Sequence, residues 1–348
     1  MTTARLHPPR SVHLVGSIGL DTVENVFNVV GKKLGPYLKR IPDGEIGGRR
    51  IWISWQYPLL RANPYLAPDP SGAVRPTNKF PLLTLAPGVK PDDVHFGELN
   101  YSREARASYL DFVEARDRGV IPKGVRFQVC LPTPFAVVSS VTVRDALLAV
   151  ESAYEAAMIR EVERICRYIP HEDLCIQWDL CNEMVIWDGQ QSGGVPYPDE
   201  PKQALLNRTK RMCEVIPDGV ELGLHLCYGD FGGTHFVEPK DASAMVDFAN
   251  ALVKSIGRKI TYIHMPVPLG RDDEAFHAPF DKLDLTDGTE VYLGIVHVQE
   301  GVEGSRQRLE TAQRHLREFG IATECGMARA RTEDTVHKLL DIHAALCE

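Results

Sequence analysis

The sequence contains no long apolar run and no block of basic residues. No segment approaches the stretch of about 18 apolar residues that indicates a membrane-spanning helix. The chain carries 39 Lys and Arg residues against 47 Asp and Glu residues, a formal net charge of −8. This balance argues against a surface for nucleic acid or for an anionic membrane. It predicts a small-molecule partner and leaves homo-oligomer formation open.

Signs of secretion are missing as well. The first ten residues have no apolar core of the kind that signal peptides carry. The 8 cysteines are irregularly spaced along 348 residues, which is not the pattern of a disulfide framework. We therefore expect a cytoplasmic protein whose cysteines are free thiols.

Short β-rich runs alternate with longer segments of helical period. The clearest helix is predicted over Val143–Tyr168, where apolar residues form one stripe. Further helices are predicted over Gln203–Val215, Ala242–Ile256, Ser305–Phe319 and Thr332–Leu346. The eight predicted strands are Val12–Gly16, Leu38–Pro42, Val125–Cys130, Leu174–Trp178, Val220–Leu226, Ile260–His264, Val291–Val296 and Ile321–Glu324. This alternation predicts an α/β protein, a single (β/α)8 TIM-type barrel spanning residues 1–348.

Residues 47–120 depart from an ideal barrel. They hold eight prolines between Pro58 and Pro91, which excludes one regular helix for most of the segment. An excursion after the second strand emerges at the face where barrel enzymes build their active sites. We predict a Pro-rich insertion that forms a lid or wall there; a surface embellishment or an oligomer contact is the alternative.

Polar side chains follow most of the predicted strands. In a barrel these strand ends meet at one rim, so residues distant in sequence share one pocket. The residues are Asp43 and Glu45 after strand two, Asp179 after strand four, His225 and Cys227 after strand five, His264 after strand six, His297 after strand seven and Cys325 after strand eight. Thiols and imidazoles in such a set predict a Cys2His or Cys2His2 zinc site, although each residue alone more often has a structural role.

Several of these segments resemble the C-terminal catalytic half of cobalamin-independent methionine synthase. The resemblance covers nearly the whole chain in the right order, within the superfamily that also contains uroporphyrinogen decarboxylase and zinc-dependent thiol alkyltransferases. The matching segments are Gly16-Ser17-Ile18-Gly19, Asp43-Gly44-Glu45, Ile176-Gln177-Trp178-Asp179, His225-Leu226-Cys227-Tyr228 and Glu324-Cys325-Gly326.

The resemblance implies a Zn²⁺ ion that binds a substrate thiol and presents it as a zinc thiolate to a methyl or alkyl donor. The residues that match the family's zinc ligands are His225, Cys227 and Cys325. Glu45 and Asp179 match carboxylates that hold the amino group of the thiol substrate; an ion pair with Arg49 or Arg50 is their alternative role. Ser17 and Tyr228 lie in matching segments and are predicted to contact the substrate.

Two positions depart from the family pattern. His264 stands where the family has a glutamate ligand, so it either replaces that ligand or leaves the fourth position open. The family's catalytic histidine falls near Gln299, whereas this chain has His297 two residues earlier. We predict His297 as general acid or substrate contact, with Asp179 as the second catalytic residue.

The sequence therefore favours a zinc-dependent thiol methyl- or alkyltransferase with a small-molecule thiol as one substrate. The separate N-terminal barrel of the full synthase has no counterpart here, so the donor stays open among a folate, a small methyl ether, a sulfonium and an epoxide. Two alternatives remain. One is a metal-independent decarboxylase or lyase of the uroporphyrinogen decarboxylase type, and the other is a non-catalytic barrel with structural zinc.

Overall fold

The computed structural model describes residues 11–75, 79–189, 197, 199–230, 235–286, 288–329 and 331–348. Seven strands in these ranges form one parallel sheet, and two short strands form an antiparallel pair. The nine strands are β1 (Arg40–Pro42), β2 (Leu66–Pro68), β3 (Leu83–Leu85), β4 (Arg126–Pro132), β5 (Leu174–Leu180), β6 (Glu221–Leu226), β7 (Tyr262–Pro266), β8 (Glu290–Val296) and β9 (Gly320–Thr323). The order in the large sheet is β1-β4-β5-β6-β7-β8-β9, so each strand lies beside its successor along the chain.

Helices surround this sheet. In the described ranges they are α1 (Val23–Leu34), α2 (Tyr57–Ala62), α3 (Tyr101–Asp117), α4 (Pro134–Ser139), α5 (Arg144–Tyr168), α6 (Cys181–Asp188), α7 (Lys202–Glu214), α8 (Ser243–Ser255), α9 (Glu274–His277), α10 (Gly301–His315) and α11 (Glu333–Cys347). None of them has both the length and the apolar character needed to cross a bilayer. The five predicted helices are confirmed as α5, α7, α8, α10 and α11, with ends shifted by a few residues at most.

The α/β class and the parallel sheet are confirmed, but the first predicted strand, Val12–Gly16, is reduced to isolated bridges at Val12. Of the segment Val12–Gly16, Val12 alone makes bridges, one to Leu38 and one to Ile321. Residues 13–15 make no further bridges, and the chain bends at Gly16. Since Val12 contacts residues at both edges of the seven-stranded sheet, that sheet is strongly curled.

The segment predicted as an insertion is only partly irregular. It begins with a 3-10 helix over Gly47–Gln56, continues through α2 and the β2-β3 pair, and ends in α3. Helix α3 packs against α1, α5 and β4, so it belongs to the helical layer around the sheet. The role of residues 47–120 as a lid or wall stays a prediction.

Candidate metal centre

Strand register brings the central polar residues side by side. Asp179 at the end of β5 pairs with His225 on β6, and His225 pairs with His264 on β7. Side chains at matching positions of neighbouring parallel strands point to the same face of a sheet. Cys227 and Cys325 follow the ends of β6 and β9. The structure therefore collects at one place residues that are separated by up to 146 positions, from 179 to 325.

Three of the predicted ligands form a compact buried group. The ligand atoms of His225, Cys227 and Cys325 all lie within 4.8 Å of one another. The two Sγ atoms are 3.7 Å apart. Two sulfurs bound tetrahedrally to zinc at about 2.3 Å would be separated by about 3.8 Å. The sulfur spacing thus fits a shared zinc ion.

The imidazole of His225 has one nitrogen that is free to bind a metal. Its Nε2 is buried and has no hydrogen-bond partner in the described part of the chain. Its Nδ1 lies 2.7 Å from Nδ1 of His264, whose Nε2 lies 3.1 Å from the Thr323 carbonyl oxygen. Burial lowers the pKa of His264 to about 3, and burial also lowers the pKa of His225 well below its ordinary value. Both rings are therefore neutral.

The hydrogen-bond chain fixes the tautomer of each ring. The Thr323 carbonyl can only accept, so His264 Nε2 carries the hydrogen and donates. His264 Nδ1 then accepts from His225 Nδ1, which leaves a lone pair on His225 Nε2. A lone pair at that atom is what a metal ligand requires. His264 itself lies outside the three-residue group, and both of its ring nitrogens are engaged.

A third thiol, Cys181, lies beside this group and was missed by the sequence analysis. Cys181, Cys227 and Cys325 form one buried cluster that packs against Trp52 and Phe236. A hydrogen bond with Cys181 is the largest influence that raises the pKa of the Cys227 thiol above its ordinary value. The spacing Asp179-x-Cys181 after β5 repeats the spacing His225-x-Cys227 after β6, a signal that could have revealed it.

The three ligands open into a cavity of about 400 Å³. Glu45, Asp179 and Ser17 also line it. Their role as substrate contacts stays a prediction. Desolvation raises the pKa of Glu45, and the neighbouring Asp179 charge raises it further. Desolvation likewise raises the pKa of Asp179, which accepts a hydrogen bond of 2.8 Å from Gln177 Nε2. Arg329, which lines the same cavity, lowers both pKa values only in part, so two desolvated carboxyl groups without an ion-pair partner in the described segments suit a cationic ligand.

Local backbone geometry aims Glu45 and Ser17 into position. Gly44 has φ +81°, and a Cβ there would lie 2.7 Å from the Val26 side chain, so the turn requires glycine. The next residue, Glu45, also has a positive φ of +47°. Ser17 packs so tightly on Gly326 that a Cβ on Gly326 would lie 2.2 Å from Ser17 Oγ. The two glycines thus allow the turn and the cysteine loop to approach the cavity.

Arg329 brings a positive charge to the same cavity, and sequence reasoning did not single it out. Its Nη2 lies 3.5 Å from Cys325 Sγ, and its Nε is buried without a partner in the described ranges. Arg49 instead pairs with Asp43 at 2.8 Å, and Arg50 pairs with Asp21 at 3.3 Å. Among the described residues neither arginine forms an ion pair with Glu45 or Asp179, although the Arg49 charge acts to lower the pKa of Glu45.

Two predicted site residues lie away from the cavity lining. Burial lowers the pKa of His297, whose Nε2 lies 2.8 Å from the Val267 carbonyl oxygen and whose Nδ1 lies 3.9 Å from Glu324. Tyr228 donates its hydroxyl to Asp188 at 2.7 Å. Neither side chain is among those that line the cavity. Their catalytic and substrate-binding roles stay predictions.

Comparison with known proteins gives likenesses of fold alone. No protein-family model matches the chain, and no curated protein matches it either. A solved B12-independent methionine synthase from Shewanella sp. W3-18-1, in complex with selenomethionine, has 13% identity and a TM-score of 0.62, with 97% of each chain covered. A methyltransferase from Methanosarcina mazei has 13% identity and a TM-score of 0.50, with 98% of this chain and 94% of that chain covered.

A protein from Listeria monocytogenes assigned as a B12-independent methionine synthase also has 13% identity, with a TM-score of 0.56. The match covers 99% of this chain and 98% of the Listeria chain. The resemblance to methionine-synthase-like proteins is thereby confirmed for the fold over nearly the whole chain.

Proposed function

We propose that this chain is a zinc-dependent methyl- or alkyltransferase that activates a substrate thiol. The observation that carries the proposal is the unpartnered His225 Nε2, buried beside two thiols whose sulfurs have the spacing of a zinc site. His225, Cys227 and Cys325 would hold the ion and leave a fourth position for the substrate. Zinc there supplies the positive charge that keeps a thiol deprotonated near neutral pH.

Glu45 and Asp179 bind the amino group of the thiol substrate in this proposal. Both line the cavity, and both have raised pKa values in the absence of a cation. An ammonium group between them would favour the ionised form of each and would be held by charge-assisted hydrogen bonds. Asp179 orients the substrate, and Ser17 contributes to the opposite wall. The requirement for an ammonium group distinguishes this site from a general thiol site.

His264 acts in this proposal through His225 rather than as a ligand. Its contact holds the ring and the tautomer of His225, as the hydrogen-bond partners of metal-binding histidines commonly do. Exchanging the family's glutamate for this histidine leaves two thiolates as the negatively charged ligands. The site therefore has less negative charge than the family pattern implies.

The wider features of the chain are consistent with this function. Trp52, from the segment 47–120, lines the cavity and supports a wall or lid role for that segment. The contacts of Val12 with both sheet edges support a closed eight-stranded barrel. The solved neighbours described as methionine synthases and as a methyltransferase support methyl transfer. A cytoplasmic location remains part of the proposal.

One observation favours a second candidate, a structural zinc site. Cys181 adjoins Cys227 and Cys325, so it could occupy the fourth position and close the site. The lyase alternative is less well supported because Arg49 and Arg50 are already paired with Asp43 and Asp21.

Metal content of purified variants tests the proposal. We expect about one zinc per chain in the wild type and in Cys181→Ala, and loss of zinc in Cys325→Ser. Cys166→Ser, which changes a buried cysteine outside the cluster, is the matched control and should retain the metal. Loss of zinc in Cys181→Ala would favour the closed structural site, and absence of zinc from the wild type would contradict both.

A further inference from the structure

A second cavity adjoins the first. It holds about 450 Å³ of empty space, part of which is open to solvent. Glu45 and Trp52 line both cavities, so the two spaces meet at these side chains. Both residues have positive φ, +47° for Glu45 and +52° for Trp52. Strained backbone of this kind persists where the surroundings enforce it, often at functional sites.

Aromatic rings form much of the wall of this cavity. Trp52, Trp55, Tyr101 and Phe127 line it, and the rings of Trp55 and Tyr101 meet edge to face with centroids 5.0 Å apart. Aromatic faces attract cations through the negative charge density of their π systems. A wall of this composition suits an alkylated cation, which is apolar on its surface and positive in charge.

The polar part of the lining is dominated by acceptors. Asp43, Glu45 and Glu104 line the cavity against a single guanidinium, Arg49. That guanidinium is already paired, at 2.8 Å with Asp43 and at 3.6 Å with Glu104. Gln128 also lines the cavity, and its buried Oε1 has no partner among the residues that the structure describes. Asp43 and Arg49 neutralise each other, which leaves Glu45, Glu104 and Gln128 Oε1 as acceptors for a cationic ligand.

The side chains that could donate or accept a proton in the two cavities also favour a cationic donor. Among described residues, His225 is the only histidine that lines either cavity, and its free nitrogen belongs to the metal site. Glu45 and Asp179 have no proton to give when they are ionised by a bound ammonium group. A donor whose leaving group must be protonated, such as an ether or a folate amine, would depend on the Tyr101 hydroxyl, a weak acid whose pKa burial raises well above its ordinary value. A donor that leaves as a neutral molecule needs no acid.

We propose that this second cavity binds the methyl donor and that the donor is an onium compound, either a methylsulfonium or a methylated quaternary ammonium. The inference rests on the proposed thiol-transferase function. The thiolate sulfur attacks the methyl carbon and forms a C–S bond with its lone pair. The bond from that carbon to the onium heteroatom breaks, and its electron pair stays on the heteroatom. One anion and one cation become two neutral products, and neither a proton nor an oxidant is consumed.

Calorimetry on the zinc-loaded protein tests the site with small probes. Trimethylsulfonium and tetramethylammonium should bind, whereas neutral tert-butanol of similar size should not. Trp55→Leu should weaken binding of the cations about tenfold through loss of the cation–π contact. Trp55→Phe should retain most of the affinity because it keeps an aromatic face. Tyr65→Leu is the control, since Tyr65 lies in the same segment but lines neither cavity.

Two further measurements on the same preparation distinguish failure of the donor inference from failure of the proposed transferase function. Zinc-edge absorption with homocysteine reports thiol binding, and incubation with each cation reports methylation of the thiol. A new Zn–S contact, cation binding that depends on Trp55, and methyl transfer from one or both cations support the inference and identify the onium class. A Zn–S contact without cation binding, or with binding unchanged in Trp55→Leu, overturns the donor inference alone. Absence of the Zn–S contact overturns the transferase function and the donor inference with it.

Discussion

Two carboxylates that stand two residues apart, Asp43 and Glu45, have opposite environments. Asp43 accepts hydrogen bonds from Ser108 Oγ at 2.7 Å and from the Glu45 backbone at 2.9 Å, and it pairs with Arg49. These partners outweigh burial, and they lower its pKa. Glu45 faces desolvation and Asp179 with no paired cation, so its pKa is raised. Asp43, which has its hydrogen-bond and ion-pair partners within the protein, has a structural role. Glu45, which lacks an ion-pair partner among the residues described, is available to bind a ligand.

The largest effect on stability is expected at Asp43. Asp43→Asn would remove the nearer of the two carboxylates that pair with Arg49, and breaking a buried ion pair typically costs about 3–5 kcal/mol. Urea denaturation should show this loss relative to the wild type. Asp21→Asn is the control, since it removes the exposed partner of Arg50 and should cost about 0–1 kcal/mol. A similar loss of unfolding free energy in both variants would contradict the structural role assigned to Asp43.

A loss in zinc affinity is expected when the His225–His264 contact is removed. His264→Phe keeps a ring but removes the acceptor for His225 Nδ1, and loss of such a partner typically weakens metal binding about 10–100-fold. Competition with a chelator measures the change. X-ray absorption of the wild type should show one imidazole ligand; two imidazoles would identify His264 as a ligand and reject its positioning role.

Glu45→Gln should impair ligand recognition without harming the fold. We expect the affinity for an amino-acid thiol to fall about tenfold or more, because a charge-assisted hydrogen bond is lost. A thiol without an amino group should bind equally to variant and wild type. An equal loss of binding affinity for both thiols would show that Glu45 does not recognise the ammonium group.

A further expected effect is a pH-dependent difference in the free energy of unfolding. Because the pKa of Glu45 is raised in the folded protein, the folded state holds a proton that the unfolded state has released above its ordinary pKa. Wild-type stability should therefore fall, relative to Glu45→Gln, as pH rises from about 5 to 8. Each tenfold difference in proton affinity corresponds to about 1.4 kcal/mol. Melting temperatures of both proteins across this range measure it; a constant difference would contradict the raised pKa.

The ends of the strands could be predicted from the sequence, because an apolar run and the polar residues after it are a local signal. The sequence therefore located Glu45, Asp179, His225, Cys227 and Cys325. It could not supply the contact of His225 with His264, which depends on the register of β6 with β7. Helix α6 was missed because it is buried on nearly every side and has no polar face to reveal its period.

His297 shows where the strand rule fails. The register between β8 and β9 shifts between Leu293 and Val296, just before His297. Since side chains alternate along a strand, such an irregularity changes which residue points to a given face. Arg329 and Trp52 lie outside any strand, in segments whose course no periodicity predicts. Their places in the cavity emerge only from the folded chain.

The most direct test of the account is zinc-edge X-ray absorption of the wild-type protein before and after addition of homocysteine. The account predicts two sulfur ligands from Cys227 and Cys325 at first, and three after the thiol is added. Three sulfur ligands already present without homocysteine, and unchanged by it, would contradict the account and assign Cys181 to a closed structural site.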